Sequence, residues 1–173
     1  SFEGRRAFVT GGAKGIGAAV ATRLARAGAE VVLADLDGAA ASSLAGAVGA
    51  RAVALDVADP EAVAAAVAEA GPFDILVNNA GIDQHAFFTA TGVAEWQRLI
   101  AVNLLSVLAC THAALPAMQR SGYGRIVNVA SEAGRLGSRG GAVYAAAKGG
   151  VIAFTKSIAR ENARYGITAN VVA

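Results

Sequence analysis

Residues 6–17 read RAFVTGGAKGIG, an apolar run that leads into a loop containing four glycines. The run 6–10 is typical of a strand and residues 15–27 of a helix, so the loop joins the two. Such a loop provides a tight turn, a backbone that a pyrophosphate can approach, and free helix N–H groups that face an anion. Its spacing is TGxxxGxG rather than GxGxxG. Taken alone, it is compatible with a phosphate site and also with an ordinary strand–helix turn.

The rest of the chain continues to alternate short apolar runs with longer alanine-rich runs. Strands are predicted at 6–10, 30–35, 51–56, 74–78, 126–130 and 167–172. Helices are predicted at 15–27, at 39–48, from Asp59-Pro60-Glu61 to near Gly71-Pro72, at 93–119 and at 144–165. The strands are continuously apolar, which is typical of a sheet covered by helices on both faces. The pattern predicts an α/β fold with a doubly wound parallel sheet, Rossmann-like and in three layers, with residues 1–173 as one domain.

Composition excludes several classes of protein. The formal net charge is +2 and no run of Lys or Arg exceeds two residues, which argues against a nucleic-acid partner. A single cysteine, Cys110, can form neither a disulfide framework nor a cysteine zinc site, so we expect no metal site and a reducing, cytoplasmic location. We identify no apolar leader before the first strand and no run of about 18 uncharged apolar residues, and therefore expect no membrane association.

A carboxylate, Asp35, ends the second predicted strand, 18 residues after Gly17. That is where a carboxylate accepts hydrogen bonds from the hydroxyls of an adenosine ribose in a dinucleotide site. A 2′-phosphate there would be repelled by this charge, so Asp35 favours NAD over NADP. Lys14 in the glycine loop argues the other way, because an ammonium could bind that phosphate. We give Asp35 more weight because its position is fixed by the strand. A solvated strand-end carboxylate is the alternative.

A tyrosine and a lysine, Tyr144 and Lys148, stand four residues apart on a predicted helix and therefore share one face. A phenol that titrates near pH 10 is a poor base at neutral pH, but an adjacent ammonium favours its ionised form. Ser131 precedes Tyr144 by 13 residues and follows the fifth predicted strand. It should lie at the carboxyl edge of the sheet, where its hydroxyl could donate to a substrate oxygen. An isolated YxxxK pair would more often be a surface pair.

Taken together, these motifs resemble those of the short-chain dehydrogenases/reductases from about residue 4 to 173. The matching pieces occur in the family's order: TGGAKGIG at 10–17, Asp56-Val57, NNAG at 78–81, Asn103, Ser131, YAAAK at 144–148 and Asn170-Val171-Val172. The resemblance implies an NAD(P)-dependent oxidoreductase acting on CH–OH groups, with NAD as the preferred cofactor.

The resemblance also implies residue roles. Tyr144 would be the general acid/base, Lys148 would assist it and bind the nicotinamide ribose, Ser131 would orient the substrate oxygen, and Asn103 would hold a water of a proton relay. Asp56 and Val57 would contact adenine. The full set of implied cofactor-binding residues is Gly11, Lys14, Gly15, Ile16, Gly17, Asp35, Leu36, Asp56, Val57, Asn78, Ala80, Gly81, Tyr144 and Lys148.

The substrate and partners are less defined. The stretches 78–83 and 130–133 resemble those of hydroxyacyl-CoA dehydrogenases and 3-oxoacyl carrier-protein reductases, which implies a small-molecule or acyl-thioester substrate. Arg135 and Arg139 could meet a phosphorylated carrier, or could be solvated. By resemblance to the helices that pair subunits in the family, those at 93–119 and 144–165 imply a homodimer or homotetramer. Because the family's last strand and substrate cover are not present, we expect the chain to be C-terminally incomplete. The alternatives are an NAD(H)-binding regulator, a nucleotide-sugar epimerase or dehydratase, and a non-catalytic truncated member.

Overall fold

A computed structural model describes all residues, 1–173, and contains one six-stranded sheet. Every strand pairing is parallel, and the strand order is β3-β2-β1-β4-β5-β6. The strands are β1 Arg6–Thr10, β2 Glu30–Asp35, β3 Arg51–Ala54, β4 Ile75–Asn78, β5 Gly124–Val129 and β6 Ile167–Val172. The helices are α1 Gly15–Arg26, α2 Gly38–Val48, α3 Pro60–Ala70, α4 Val93–Ile100, α5 Ser106–Ser121, α6 Ala133–Leu136 and α7 Ala142–Asn162.

The two faces of the sheet carry separate apolar cores. Alternate residues of a strand point to opposite faces, and β1 shows this directly. Ala7 and Val9 pack with buried residues of α1 and α2, whereas Phe8 packs with buried residues of α3, α5 and α7. The sheet is therefore covered by helices on both faces, which confirms the predicted three-layer, doubly wound Rossmann fold.

The strand order reverses between β1 and β4, which are neighbours in the sheet. The chain leaves β1 toward one side and β4 toward the other, so a crevice opens beyond their carboxyl ends. Ligands of open α/β sheets bind at such a switch point. The glycine loop follows β1 and the NNAG segment follows β4, so the fold brings two of the predicted motifs to this crevice.

Most predicted element boundaries agree with the structure to within two residues, and the differences have local causes. The third strand ends at Ala54 rather than at residue 56 because Asp56 and Val57 belong to a turn, in which the Asp56 carboxylate accepts from the N–H of Ala58. The helix predicted at 93–119 is continuous but changes character, with a π-helical turn over Ala101–Leu105 between α4 and α5. The helix predicted at 144–165 begins at Ala142 and ends at Asn162.

The helical run Val93–Ser121 is long and apolar enough to cross a membrane by length and composition alone. The prediction that the chain has no run long and apolar enough to cross a membrane was therefore wrong. Residues 99–119, between Arg98 and Arg120, contain no charged side chain. Several of its side chains nevertheless lie in the core, including Cys110, Ala114 and Met118, which pack with residues of α3 and β5. This packing accounts for the apolar composition as that of a core helix.

Candidate active site

The glycine loop has no room for side chains where it meets the segment after β4. Gly11 has φ of +61°, and a Cβ on it would lie 2.9 Å from the Cα of Ala80. A Cβ on Gly17 would overlap the carbonyl oxygen of Gly11 and lie 2.5 Å from Nδ2 of Asn79. Since real Cβ atoms do not approach so closely, glycine is required at both positions for the first turn of α1 to pack under the loop.

Two polar side chains hold the loop against the segment after β4. Nδ2 of Asn79 donates to the carbonyls of Thr10 and Gly11 at 3.1 and 3.0 Å. The Thr10 hydroxyl oxygen accepts from the backbone N–H groups of Asn79 and Ala80 at 3.0 and 3.1 Å. The ends of β1 and β4 are thereby fixed to each other at the switch point.

A cleft of about 620 Å³ opens above this junction. Nine of the implied cofactor-binding residues line it: Gly11, Lys14, Gly15, Asp35, Leu36, Asp56, Val57, Ala80 and Gly81. Its other lining residues, which the sequence analysis did not assign, are Leu55, Ala58, Asn79, Ile82, Arg98 and Val102. No local sequence pattern points to Arg98 and Val102, since they reach the cleft from the helical run that follows β4.

The charged side chains at the β2 end of the cleft all have hydrogen-bond partners within the protein. Oδ2 of Asp35 accepts from the N–H of Ala13 at 2.9 Å and Oδ1 from the N–H of Asp37 at 3.0 Å. Each carboxylate oxygen retains a further lone pair, so Asp35 is held rigidly and can still accept from hydroxyls. Lys14 donates to Asp37 at 2.8 Å, and this contact raises the pKa of Lys14 and lowers that of Asp37. Asp37, which no sequence motif indicated, also caps α2 by accepting from the N–H of Ala40.

Lys148 is the buried cation of the site. It is 4% exposed and donates to the Val129 carbonyl, at the end of β5, at 2.9 Å. Its Nζ lies 5.8 Å from the centroid of the Tyr144 ring, as the i,i+4 spacing on α7 leads one to expect. Burial lowers the pKa of the Lys148 ammonium, because desolvation penalises the charged form.

Asn103 lies in the π-helical turn and is fully buried. Its Oδ1 accepts from the N–H of Ile82 at 3.1 Å, and its Nδ2 donates to the carbonyls of Ile82 and Leu99 at 2.9 and 3.0 Å. A Cβ on Gly81 would lie 2.9 Å from Oδ1 of Asn103 and 3.5 Å from Nζ of Lys148. Gly81 therefore brings Asn103 and Lys148 to the wall of the cleft. Isolated π turns are frequent at functional sites.

Ser131 and Tyr144 are both partly exposed, and both follow strand β5. The Ser131 hydroxyl accepts from the N–H of Ala133 at 3.2 Å, at the start of α6. Helix α6 then packs directly on α7, because a Cβ on Gly134 would lie 2.7 Å from the carbonyl carbon of Lys148. This tight contact brings the segment that carries Ser131 against the helix that carries Tyr144 and Lys148.

Five of the implied cofactor residues do not line the cleft. Ile16 is exposed on α1 and Gly17 is buried beneath the loop. Asn78 is buried behind the sheet edge, where its Nδ2 donates to Thr111 and Asn128 at 3.3 and 2.8 Å. Its side chain is used inside the fold, and the neighbouring Asn79 faces the glycine loop instead. Tyr144 and Lys148 do not line the cleft either, although Lys148 adjoins Gly81, which does.

The residues present fit a nicotinamide dinucleotide. Helix α1 begins without a side-chain cap, so its first N–H groups are available to a pyrophosphate above the glycine loop. Asp35 suits ribose hydroxyls, and Leu55, Val57 and Val102 offer apolar walls for a flat base. The cleft then leads past Gly81 to Lys148.

A glycine loop and an uncapped helix start at the switch point, beside a buried lysine and a tyrosine, are typical of oxidoreductases with a dinucleotide cofactor. The family model for short chain dehydrogenases matches residues 5–173, and the chain belongs to this family, whose members are NAD(P)-using oxidoreductases of CH–OH groups.

Named relatives show the same membership. The chain is 42% identical to the 3-oxoacyl acyl-carrier-protein reductase FabG of Escherichia coli (strain K12) over 179 residues, which are all of this chain and 73% of that protein. It is also 42% identical to the 2-dehydro-3-deoxy-L-rhamnonate dehydrogenase (NAD(+)) of Sphingomonas sp. (strain SKA58), over 99% of this chain and 71% of that one. The FabG of Vibrio harveyi is 43% identical over 180 residues.

Proposed function

We propose that the protein transfers hydride between NAD(H) and a secondary alcohol or ketone, with Tyr144 as the general acid/base. The observation that carries this proposal is the placement of Lys148, buried and 5.8 Å from the Tyr144 ring, next to the cleft at Gly81. A buried ammonium is costly, and a fold retains one most readily where its charge has a use.

The protein's own groups divide the proton chemistry between them. Tyr144 takes the hydroxyl proton of an alcohol, or gives it to the oxygen of a ketone in the reverse direction. Lys148 favours the ionised phenol through its charge. Ser131 donates to the substrate oxygen as negative charge develops there. The Asn103 amide, which lies near Lys148 across Gly81, is held by the backbone of Ile82. The bound nicotinamide would supply or accept the hydride.

We propose NAD as the preferred cofactor. The Asp35 carboxylate is fixed by two backbone N–H groups where the adenosine ribose would lie. Lys14, the cation that could attract a 2′-phosphate, is paired with Asp37 at 2.8 Å. A fixed negative charge and a neutralised positive one both disfavour the phosphate of NADP. The rhamnonate relative, whose name carries NAD(+), is consistent with this preference.

For the substrate we propose a short 3-oxoacyl or hydroxyacyl thioester, the substrate class named in the FabG relatives. A hydroxy sugar acid is the second candidate, on the strength of the equally similar rhamnonate dehydrogenase. Arg139 gives it a structural basis: its guanidinium lies 5.3 Å from the Phe87 ring centroid and has no carboxylate partner, whereas Arg135 pairs with Glu132. An acidic substrate group could bind there.

The test is turnover by the purified chain, followed through the absorbance of the reduced nicotinamide. We expect oxidation of NADH with acetoacetyl-CoA to exceed that of NADPH and to disappear in Tyr144→Phe. Reduction of NAD⁺ with a 3-deoxy sugar acid would select the second substrate class. Binding of NADH without turnover of either substrate would contradict catalysis and favour a regulatory or non-catalytic member of the family.

We also propose that the protein forms a homodimer or homotetramer in the cytoplasm. Large apolar side chains are exposed along the helical run 93–121, including Val93 at 59% and Leu105 at 46%. The only cysteine is free and buried, as suits a reducing compartment. Light scattering of the eluting protein gives the mass directly, and a monomeric mass would reject the assembly.

A further inference from the structure

The catalytic helix α7 begins without a side-chain cap of its own. The residue at its N-terminal boundary is Gly141, which has no side chain to offer. A side chain there would meet Oγ and Cβ of Ser138 at 3.0 and 3.2 Å. The first N–H groups of a helix have no partners within the helix, so those of α7 need an acceptor from elsewhere in the molecule.

Gln84, in the loop after β4, provides that acceptor. Its Oε1 accepts from the N–H of Val143 at 3.0 Å and from the N–H of Tyr144 at 3.1 Å. The two residues are 59 and 60 positions away in sequence. The backbone of the same loop adds a third bond, from the N–H of Ala86 to the carbonyl of Gly140 at 3.0 Å. The loop is thus hydrogen-bonded to the backbone of Tyr144 itself.

The orientation of the Gln84 amide follows from chemistry, because only its oxygen can accept from two N–H groups. The side chain is 5% exposed, and its Nε2 is buried with no hydrogen-bond partner. An unpaired buried donor costs free energy. An apolar side chain of similar volume would fill the space without that cost, but it would leave the N–H groups of Val143 and Tyr144 without this acceptor.

The same loop also contacts Asn103. Ile82, two residues before Gln84, exchanges two hydrogen bonds with the Asn103 amide, at 3.1 and 2.9 Å. A single segment, residues 82–84, therefore joins Asn103 at one end to the backbone of Tyr144 at the other. Ile82 also lines the cleft, whereas Gln84 does not.

We propose that Gln84 is a positioning residue: by capping α7 from the loop after β4, it fixes Tyr144 relative to Asn103 and the substrate oxygen. General acid/base transfer depends on hydrogen-bond geometry. Loss of the cap should therefore reduce turnover without weakening dinucleotide binding. The effect on turnover rests on the proposed function, whereas the effect on the helix start does not.

The test compares four forms of the full chain: wild type, Gln84→Met, Gln84→Glu and, as a control, Glu69→Met at an exposed position of α3. Methionine keeps the length and volume but removes the acceptor, and glutamate keeps the acceptor. We expect amide exchange at Val143 and Tyr144 to accelerate about tenfold or more in Gln84→Met, and to remain near wild type in Gln84→Glu and in the control.

With acetoacetyl-CoA and NADH, kcat should fall about 10- to 100-fold in Gln84→Met, with the Kd for NADH unchanged, and Gln84→Glu should restore most of it. Unchanged exchange at Val143 and Tyr144 would overturn the proposal, and so would faster exchange with a kcat equal to that of the control. If Gln84→Met does not fold, Gln84→Asn, whose amide is one methylene too short, takes its place. Absence of wild-type turnover would reject the proposed function, and the exchange rates would still decide whether Gln84 holds the helix start.

Discussion

The part of the site at β1, β2 and β3 (the first half) and the part at β4, β5 and α7 (the second half) hold their polar groups in opposite ways. In the first half the charged side chains face solvent and pair with each other, as Lys14 does with Asp37. In the second half Lys148 and Asn103 are buried, and their side chains are held by backbone groups, as Lys148 is by the Val129 carbonyl. The first half therefore presents charged groups that a ligand can reach, whereas the second half holds Lys148 and Asn103 in fixed positions away from water.

The difference has a cost in stability. Exposed ion pairs contribute little, since solvent screens them. A buried cation without a carboxylate destabilises the fold and is retained at functional sites. Removal of the buried charge in the second half should therefore lower activity while raising stability, whereas removal of an exposed charge in the first half should change cofactor binding with little effect on stability.

The largest effect is expected from Lys148→Met. Turnover of acetoacetyl-CoA should fall by about three orders of magnitude, because the ionised phenol loses its adjacent charge. The free energy of unfolding at neutral pH should rise by about 1 kcal/mol, because a desolvated charge is replaced by an apolar chain of similar length. Urea unfolding measures the second effect. Lys156→Met, an exposed position on the same helix, should change neither quantity, and a destabilised Lys148→Met would refute the assignment of a functional cost.

Gly17→Ala should have the next largest effect, in the first half. Its Cβ would overlap the Gly11 carbonyl oxygen and crowd Asn79, so the loop must move away from the position that a pyrophosphate requires. We expect binding of NAD, measured by titration calorimetry, to weaken by about 100-fold or more. The control is Gly46→Ala in α2, where a Cβ meets nothing within 4 Å and should stabilise the helix by about 0.5–1 kcal/mol. Equal NAD affinity in the two variants would show that the loop tolerates the methyl group.

Asp35→Ala should reduce the affinity for NAD by about tenfold, as expected for the loss of hydrogen bonds to a charged acceptor. Affinity for NADP should rise or stay unchanged, since the repelling charge is removed. Calorimetric titration of both cofactors into wild type and variant gives the ratio. Asp37→Asn is the companion variant: it keeps the Oδ1 acceptor that caps α2 but frees Lys14. A wild-type preference for NADP would mean that Lys14, not Asp35, decides the cofactor.

Sequence patterns predicted the local structure around the first half of the site better than the long-range contacts of the second half. The strand 30–35, the glycine loop and Asp35 lie close together in sequence, and their chemistry is local: a turn, a helix start and a strand end. The fold class followed from the same periodicity. The early end of the third strand, at Ala54, was not predicted, because an apolar run does not reveal where strand pairing stops. There Asp56 forms a turn with Ala58 instead.

The residues that the sequence did not reveal act over long separations. Gln84 meets α7 60 residues away, and Asn79 meets Thr10 69 residues away. The neighbouring asparagines of NNAG could not be told apart, since which of them turns to the cleft depends on strand register. The π turn at Asn103 also has no pattern of its own, because its residues suit an ordinary helix. Tertiary contacts decide all three.

The smallest expected effect is the part of the pH dependence of the free energy of unfolding that comes from Lys148. The pKa of Lys148 is lower in the folded protein than in the unfolded chain. Between those two values the unfolded chain binds more protons, so the free energy of unfolding rises with pH. Cys110 opposes this, because burial raises the pKa of its thiol to about 12, and its contribution to stability is lost as pH rises above the unfolded thiol value. Subtracting the Lys148→Met curve from that of wild type removes the thiol contribution, which is common to both proteins. The deficit of wild type relative to the variant should therefore shrink, by a fraction of a kcal/mol, as urea unfolding is repeated from pH 7 to about pH 10. A deficit that stays constant over this range would mean that Lys148 keeps its ordinary pKa, and that the second half carries its cation without a desolvation cost.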